Sequence, residues 1–214
     1  MFKKTIALLF FVNLVFGQMV TPVRIHYSGG GDWYGNKTTW RNILSRVRQE
    51  FDIEVARREV AHRITDPEFF QYPIAYIAGH GNIRFSDQEV RLLRKYLISG
   101  GFLFADDDYG MDASFRREMK KVFPELNFVE LPFSHPIYHI YYQFSHGLPK
   151  VHEHAGGPPK GFGLFYQGRL VCFYSWNTDI SDGCEDAEIH GDPPDIREQA
   201  LKMAVNIFLY ALLN

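Results

Sequence analysis

Apolar residues recur along this chain with two periods, and their order predicts an α/β domain. Short β-branched and aromatic runs at 20–27, 74–78 and 102–105, with a weaker one at 53–60, alternate with helical periods. A helix is predicted over 39–51. The clearest helix start lies at Ser86, where Ser86 and Glu89 have capping-box spacing and Val90, Leu93 and Leu97 follow at helical intervals. Gly100-Gly101 ends that helix, and Asp112 or Ser114 is the expected cap of the next, which runs to Val122. Runs at 161–166 and 169–175 flank Gln167-Gly168 and predict an antiparallel hairpin at one sheet edge. Residues 128–159 read as irregular. A last helix over 195–213 is expected to bury Ile196, Ala200, Met203, Ala204, Ile207, Phe208 and Ala211. Strands alternating with helices in this way imply a mostly parallel sheet.

The first 17 residues stand apart from that pattern. Lys3 and Lys4 precede an apolar run at 6–16, and Val15 and Gly17 place small residues before Gln18. The run is about half the ~20 residues of a membrane-spanning helix. It reads as a signal peptide over 1–17, leaving 18–214 as one domain that is periplasmic or secreted; an uncleaved anchor is the alternative. Loss of Lys3 and Lys4 takes the formal charge from −2 to −4, which argues against a nucleic-acid partner. No other segment is long and apolar enough to cross a membrane. Cys172 and Cys184 are expected to be free, partly buried thiols, with a disulfide as the alternative.

In a parallel sheet, ligands gather beyond the carboxyl ends of the strands. Three loops of unusual composition are expected there: 29–35, Gly79-His80-Gly81-Asn82, and Asp106-Asp107-Asp108-Tyr109-Gly110. The glycines serve turns, and 29–35 matches no phosphate-loop or dinucleotide pattern. His80 is either a structural histidine or a catalytic one. The three aspartates form either a solvated turn or a site in which Asp107 or Asp108 binds a cation or acts as a base, because adjacent like charges need relief. Asp32 and Trp33, together with Arg116 and Arg117, are the candidate substrate-binding residues. His152-Glu153-His154 puts two imidazoles on one side of an extended segment and is the candidate metal-binding run. Asp179, Asp182, Glu185 and Asp186 complete such a site if their loop folds back. His135, His139 and the tyrosines at 138, 141 and 142 read as core packing ahead of a sugar-binding groove.

The stretches 77–86 and 100–107, with Tyr109-Gly110-Met111-Asp112, 115–119, 149–154 and 179–186, closely resemble the family known as domain of unknown function 4159. The resemblance spans the mature chain. It implies a three-layer, flavodoxin-like sandwich of the class I glutamine amidotransferase-like type. Larger relatives join this domain to membrane-associated modules, which implies a cell-envelope setting. Where true amidotransferases carry a cysteine at the turn after a central strand, this chain has Asp107 and Asp108. Glutamine hydrolysis by a cysteine is therefore not expected, and Cys184, standing where the family has a tryptophan, reads as incidental. The expected function is a non-catalytic binding or assembly module. The alternative is an envelope hydrolase acting on a carbohydrate or cell-wall substrate with a divalent metal ion. The corresponding partners are an envelope carbohydrate or a membrane-associated protein.

Overall fold

The computed structural model describes residues 19–214, so the signal peptide expected over 1–17 lies outside the described residues. Seven strands form one sheet in the order β2-β1-β3-β4-β7-β6-β5. β1 (Val23–Ile25), β2 (Val60–His62), β3 (Ile74–Gly79), β4 (Phe102–Asp107) and β7 (Arg169–Trp176) pair in parallel. β5 (Val129–Glu130) and β6 (Lys160–Tyr166) add an antiparallel edge. The hairpin between β6 and β7 turns at Gln167 and Gly168, both with positive φ, as a tight two-residue connection requires.

Helices cover both faces. α1 (Thr39–Glu50) and α6 (Pro194–Leu213) pack on one core with Trp40, Tyr76, Phe104 and Phe208. α2 (Asp87–Ile98) and α3 (Asp112–Val122) pack on the other with Ile25, Ile77, Leu103 and Phe115. The β3 and β4 positions are buried throughout, because a central parallel strand is covered on both sides. Two short helices, α4 (Ile180–Gly183) and α5 (Ala187–His190), lie between β7 and α6.

Several boundaries differ from the sequence pattern. The expected strand at 53–60 is reduced to a bridge between Val20 and Val55, and pairing resumes only at Val60, after a bend at Arg57 and Arg58. The capping box at Ser86 is present. Neither Asp112 nor Ser114 caps α3; instead Asp107 Oδ1 accepts from the Met111 N–H at 3.0 Å. Ser114 faces the loop after β3, accepting from Ile83 N–H and donating to Gly81 O, each at 3.0 Å. Of the seven expected core residues of α6, Ile196 is only half-buried. Both cysteines are free and buried. Among the described residues, no helix is long and apolar enough to cross a membrane.

Candidate functional site

The carboxyl ends of β3, β4 and β7 lie side by side, and the order of the sheet reverses between β1 and β3. That reversal leaves a crevice at the edge, bordered by the loops that follow β1 and β3. The three aspartates are divided there by the alternation of side chains along a strand. Asp106 accepts from the Ser181 N–H at 2.6 Å and from the Ser175 hydroxyl. Asp108 Oδ2 accepts from the Asn36 side-chain amide at 3.0 Å. Asp107 points the other way, into the start of α3. The triplet is thus no solvated turn: Asp106, Asp107 and Asp108 are all buried.

The loop 149–157 carries two histidines to this edge, and the residues after β7 hold it there. Thr178 O accepts from the Val151 N–H at 2.9 Å, and Asn177 Oδ1 accepts from Lys150 Nζ at 2.7 Å and from the Ala155 N–H at 3.1 Å. Asn177 and Asp179 both have φ near 60°. A left-handed backbone at two non-glycine residues is a local cost of the kind that clusters at functional sites. It aims Asp179 at the histidines. His154 Nε2 and Asp179 Oδ2 make a short contact, and His152 Nδ1 lies 3.0 Å from the same oxygen.

Further acids and an imidazole surround this contact. His152 Nδ1 is 3.3 Å from Asp182 Oδ2, and its Nε2 is 3.0 Å from Asp192 Oδ1. His190 Nε2 lies 3.0 Å from Glu185 Oε2 and 3.8 Å from Asp182 Oδ1. Two triads can therefore each ligate a metal: His152, His154 and Asp179, and His152, Asp182 and His190, with ligand atoms within 4.8 Å of one another. Tyr109, itself at φ 81°, stacks on His154 with ring centres 4.7 Å apart.

Burial and mutual proximity disfavour the ionised forms of several acids at this edge. Burial pushes the Asp106 carboxyl up to about 6 and the Asp179 carboxyl up to about 9, with the neighbouring aspartates adding to the rise at both. Burial also raises Asp108 and Asp182, and lowers His154. Asp108 Oδ1, Asp179 Oδ1 and Asp192 Oδ2 are buried without a hydrogen-bond partner among the described residues. An orphaned carboxylate oxygen carries its full desolvation penalty. Three of them around two histidine triads fit a divalent cation bound by nitrogen and oxygen.

The other sequence candidates fall into separate places. His80 and Asp32 meet at the rim of the crevice: Asp32 accepts from the His80 backbone N–H and lies 3.0 Å from Nδ1 through Oδ2. Burial raises the Asp32 carboxyl, but these bonds outweigh it and hold it below its ordinary value. A Cβ at Gly79, which has φ 128°, would stand 2.7 Å from Asp32 Oδ1, so this approach requires glycine. Trp33 stacks on His26, with ring centres 3.9 Å apart, and lines a groove of about 510 Å³ with Tyr34, Lys37 and Arg58.

Neither arginine pairs with Asp107 or Asp108. Arg116 binds Asp112 at 2.6 Å under the Phe162 and Tyr174 rings, and Arg117 binds Glu118, Asn82 and the Ile83 carbonyl. Glu153 is 73 % exposed and pairs with Lys150 at 3.7 Å, outside the cluster. In an extended segment the residue between two inward histidines points outward. Asp179, Asp182 and Glu185 do fold back as the sequence allowed, whereas Asp186 binds Arg41 and Asn42. Tyr109 lies in the loop singled out after the third aspartate, whereas His190, Asp192 and Asn36 carry no signal of their own. The nearest to one is a histidine and an acid placed two apart just ahead of Pro193-Pro194.

A family model described as a domain of unknown function, DUF4159, matches residues 21–212. No curated protein matches the chain.

Proposed function

We propose that this chain, which belongs to the DUF4159 family, is an exported cell-envelope domain that holds a divalent metal ion and hydrolyses a carbohydrate or cell-wall substrate. The convergence of His152, His154 and Asp179 beside orphaned, buried carboxylate oxygens carries this reading. The expectation of export rests on the leader pattern of the first 17 residues.

His152, His154 and Asp179 would hold the metal, which when bound would polarise the scissile group and lower the pKa of water. In the hydrolysis, water oxygen bonds to the electrophilic centre as the bond to the leaving oxygen breaks. Burial alone favours the protonated form of Asp108, but a cation bound beside it would favour the carboxylate, whose unpartnered Oδ1 would then accept the proton from water. His80 gives a proton to the leaving oxygen through Nε2, because Asp32 occupies Nδ1 and fixes the ring. The amidotransferase-like assignment rests on the order of strand, turn and helix, and the cysteine chemistry of that class has no counterpart here. Cys172 lies within β7, Cys184 ends α4, and burial pushes both thiols up.

The second reading is the binding or assembly module, with a membrane-associated protein as partner. It is favoured by the number of protein groups around Asp182, since closed ligand sets are typical of structural metal sites.

Metal content and the release of reducing ends from purified cell-wall glycan, with and without EDTA, distinguish these readings. Bound metal with EDTA-sensitive release is the expected result. Bound metal without release supports the module. Protein that takes up no metal from Zn²⁺ overturns the metal-assisted hydrolase and leaves the binding or assembly module, which needs no metal.

A further inference from the structure

This inference rests on the metal reading above and extends it. We propose that the centre is dinuclear, with Asp182 bridging two divalent ions, one on His152, His154 and Asp179 and the other on His190 and Glu185.

The ligand atoms set the count. Metal–nitrogen and metal–oxygen bonds of about 2.1 Å keep two ligands of one ion within about 4.2 Å of each other. His152 Nδ1 lies 3.0 Å from Asp179 Oδ2 and 3.3 Å from Asp182 Oδ2, so these three atoms can share an ion with His154 Nε2. His190 Nε2 lies 3.8 Å from Asp182 Oδ1 and 3.0 Å from Glu185 Oε2, which places it within reach of a different ion. His152 belongs to both triads, but a ring nitrogen has one lone pair and serves one ion. The second position is then completed by Glu185, and Asp182 faces one ion with each oxygen. The spacing across a bridging carboxylate is that of two-metal hydrolytic sites, about 3.5–4 Å.

Charge and burial agree. Six carboxylates gather at this edge: Asp106, Asp108, Asp179 and Asp182, with Glu185 and Asp192. Lys150, in the histidine loop itself, is bound to Asn177 and Glu153. With all six ionised, one divalent ion would offset two negative charges and a second two more. Asp179 Oδ1, on a proposed ligand that is 0 % exposed, is an orphaned oxygen, and Asp108 Oδ1, on a residue 1 % exposed, is another at the same edge.

The test uses the full domain, stripped with chelator and reloaded with Zn²⁺ or Mn²⁺, and measures metal per chain after gel filtration. Two ions per chain are expected in the wild type and one in His190→Ala. His190 is a partly exposed residue of a four-residue helix, and unchanged circular dichroism confirms that the fold is kept. The Mn²⁺-loaded wild type should give a spin-coupled spectrum that His190→Ala lacks. One ion per chain in the wild type, or two retained in His190→Ala, overturns the dinuclear centre and leaves the single-metal reading standing. No ion in the wild type overturns both.

Discussion

Asn36, in the loop after β1, donates its side-chain amide to Asp182 Oδ1 at 2.8 Å from the far end of the sequence. The same amide reaches Asp108. Its backbone sits at φ 51°, a conformation asparagine tolerates better than most residues. The loop is fixed from behind by Arg24, which donates to the carbonyls of Gly35 and Asn36 at 2.7 and 2.8 Å and pairs with Glu59. One neutral donor thus sits between two buried acids. Asn36→Asp, nearly isosteric, replaces it with a third acid. The metal-free protein should lose about 1–3 kcal/mol, and saturating Zn²⁺ should recover most of that loss in thermal melts. A loss that Zn²⁺ leaves untouched would argue that Asn36 acts only on the loop.

His154 and Glu153 are neighbours with opposite expectations. His154→Ala removes a nitrogen from the short contact with Asp179. Calorimetric titration should show Zn²⁺ affinity reduced by more than the roughly 10–100-fold cost of losing a group that merely orients a ligand. Glu153→Ala should leave affinity unchanged, because that side chain is exposed.

The metal-free protein should lose stability as pH rises. Burial raises Asp106 to about 6 and Asp179 to about 9, well above the unfolded value near 4. A carboxyl with a raised folded-state pKa contributes stability that is complete below the unfolded pKa and is lost as pH rises through the folded value. The thermal midpoint without metal should therefore fall between about pH 5 and pH 9. His152, His154, His190 and Lys150 face the same acids. Zn²⁺ should flatten the profile. A chelated protein whose midpoint rises across this range would contradict the burial of those acids.

Glu118 gives the opposite sign away from the site. Its side chain accepts from the Phe85 N–H at 3.0 Å and pairs with Arg117 and Lys121, which hold its carboxyl below the ordinary range despite burial. A depressed folded pKa contributes stability above the unfolded value that is lost as pH falls through the folded one. Glu118→Gln should cost about 1.5–3 kcal/mol in urea unfolding at pH 7. The difference from wild type should shrink below about pH 4. Metal content should not change.

Both cysteines should resist thiol reagents in the native state. Cys172 and Cys184 are buried, and burial raises their thiols. Labelling should appear only on unfolding, and hydrolytic activity should survive treatment of the native protein. Rapid native labelling of Cys184 would reopen a role for it.

The sequence by itself determined most of the fold. Helical and strand periods act over a few residues, so the capping box at Ser86, the hairpin at Gln167-Gly168 and the last helix were legible one element at a time. The convergence of strand-end loops followed from parallel topology, and it brought His80 to Asp32. The pairing of His152 and His154 on one side, and the return of Asp179, Asp182 and Glu185, were also within reach of the period-two rule and chain order. Other features belonged to the tertiary structure alone. Which of the three aspartates meets Ser181, which Asn36 and which the start of α3 depends on where β4 ends, and it runs through Asp107. The partners of Arg116 and Arg117 depend on how α3 packs. His190 and Asn36 join Asp182 across 8 and 146 positions, by contacts that carry no local period. Local patterns reveal elements because backbone geometry repeats along the chain. A site assembled from five separate loops repeats nowhere, and only the packing of the sheet and its helices decides which of its groups meet.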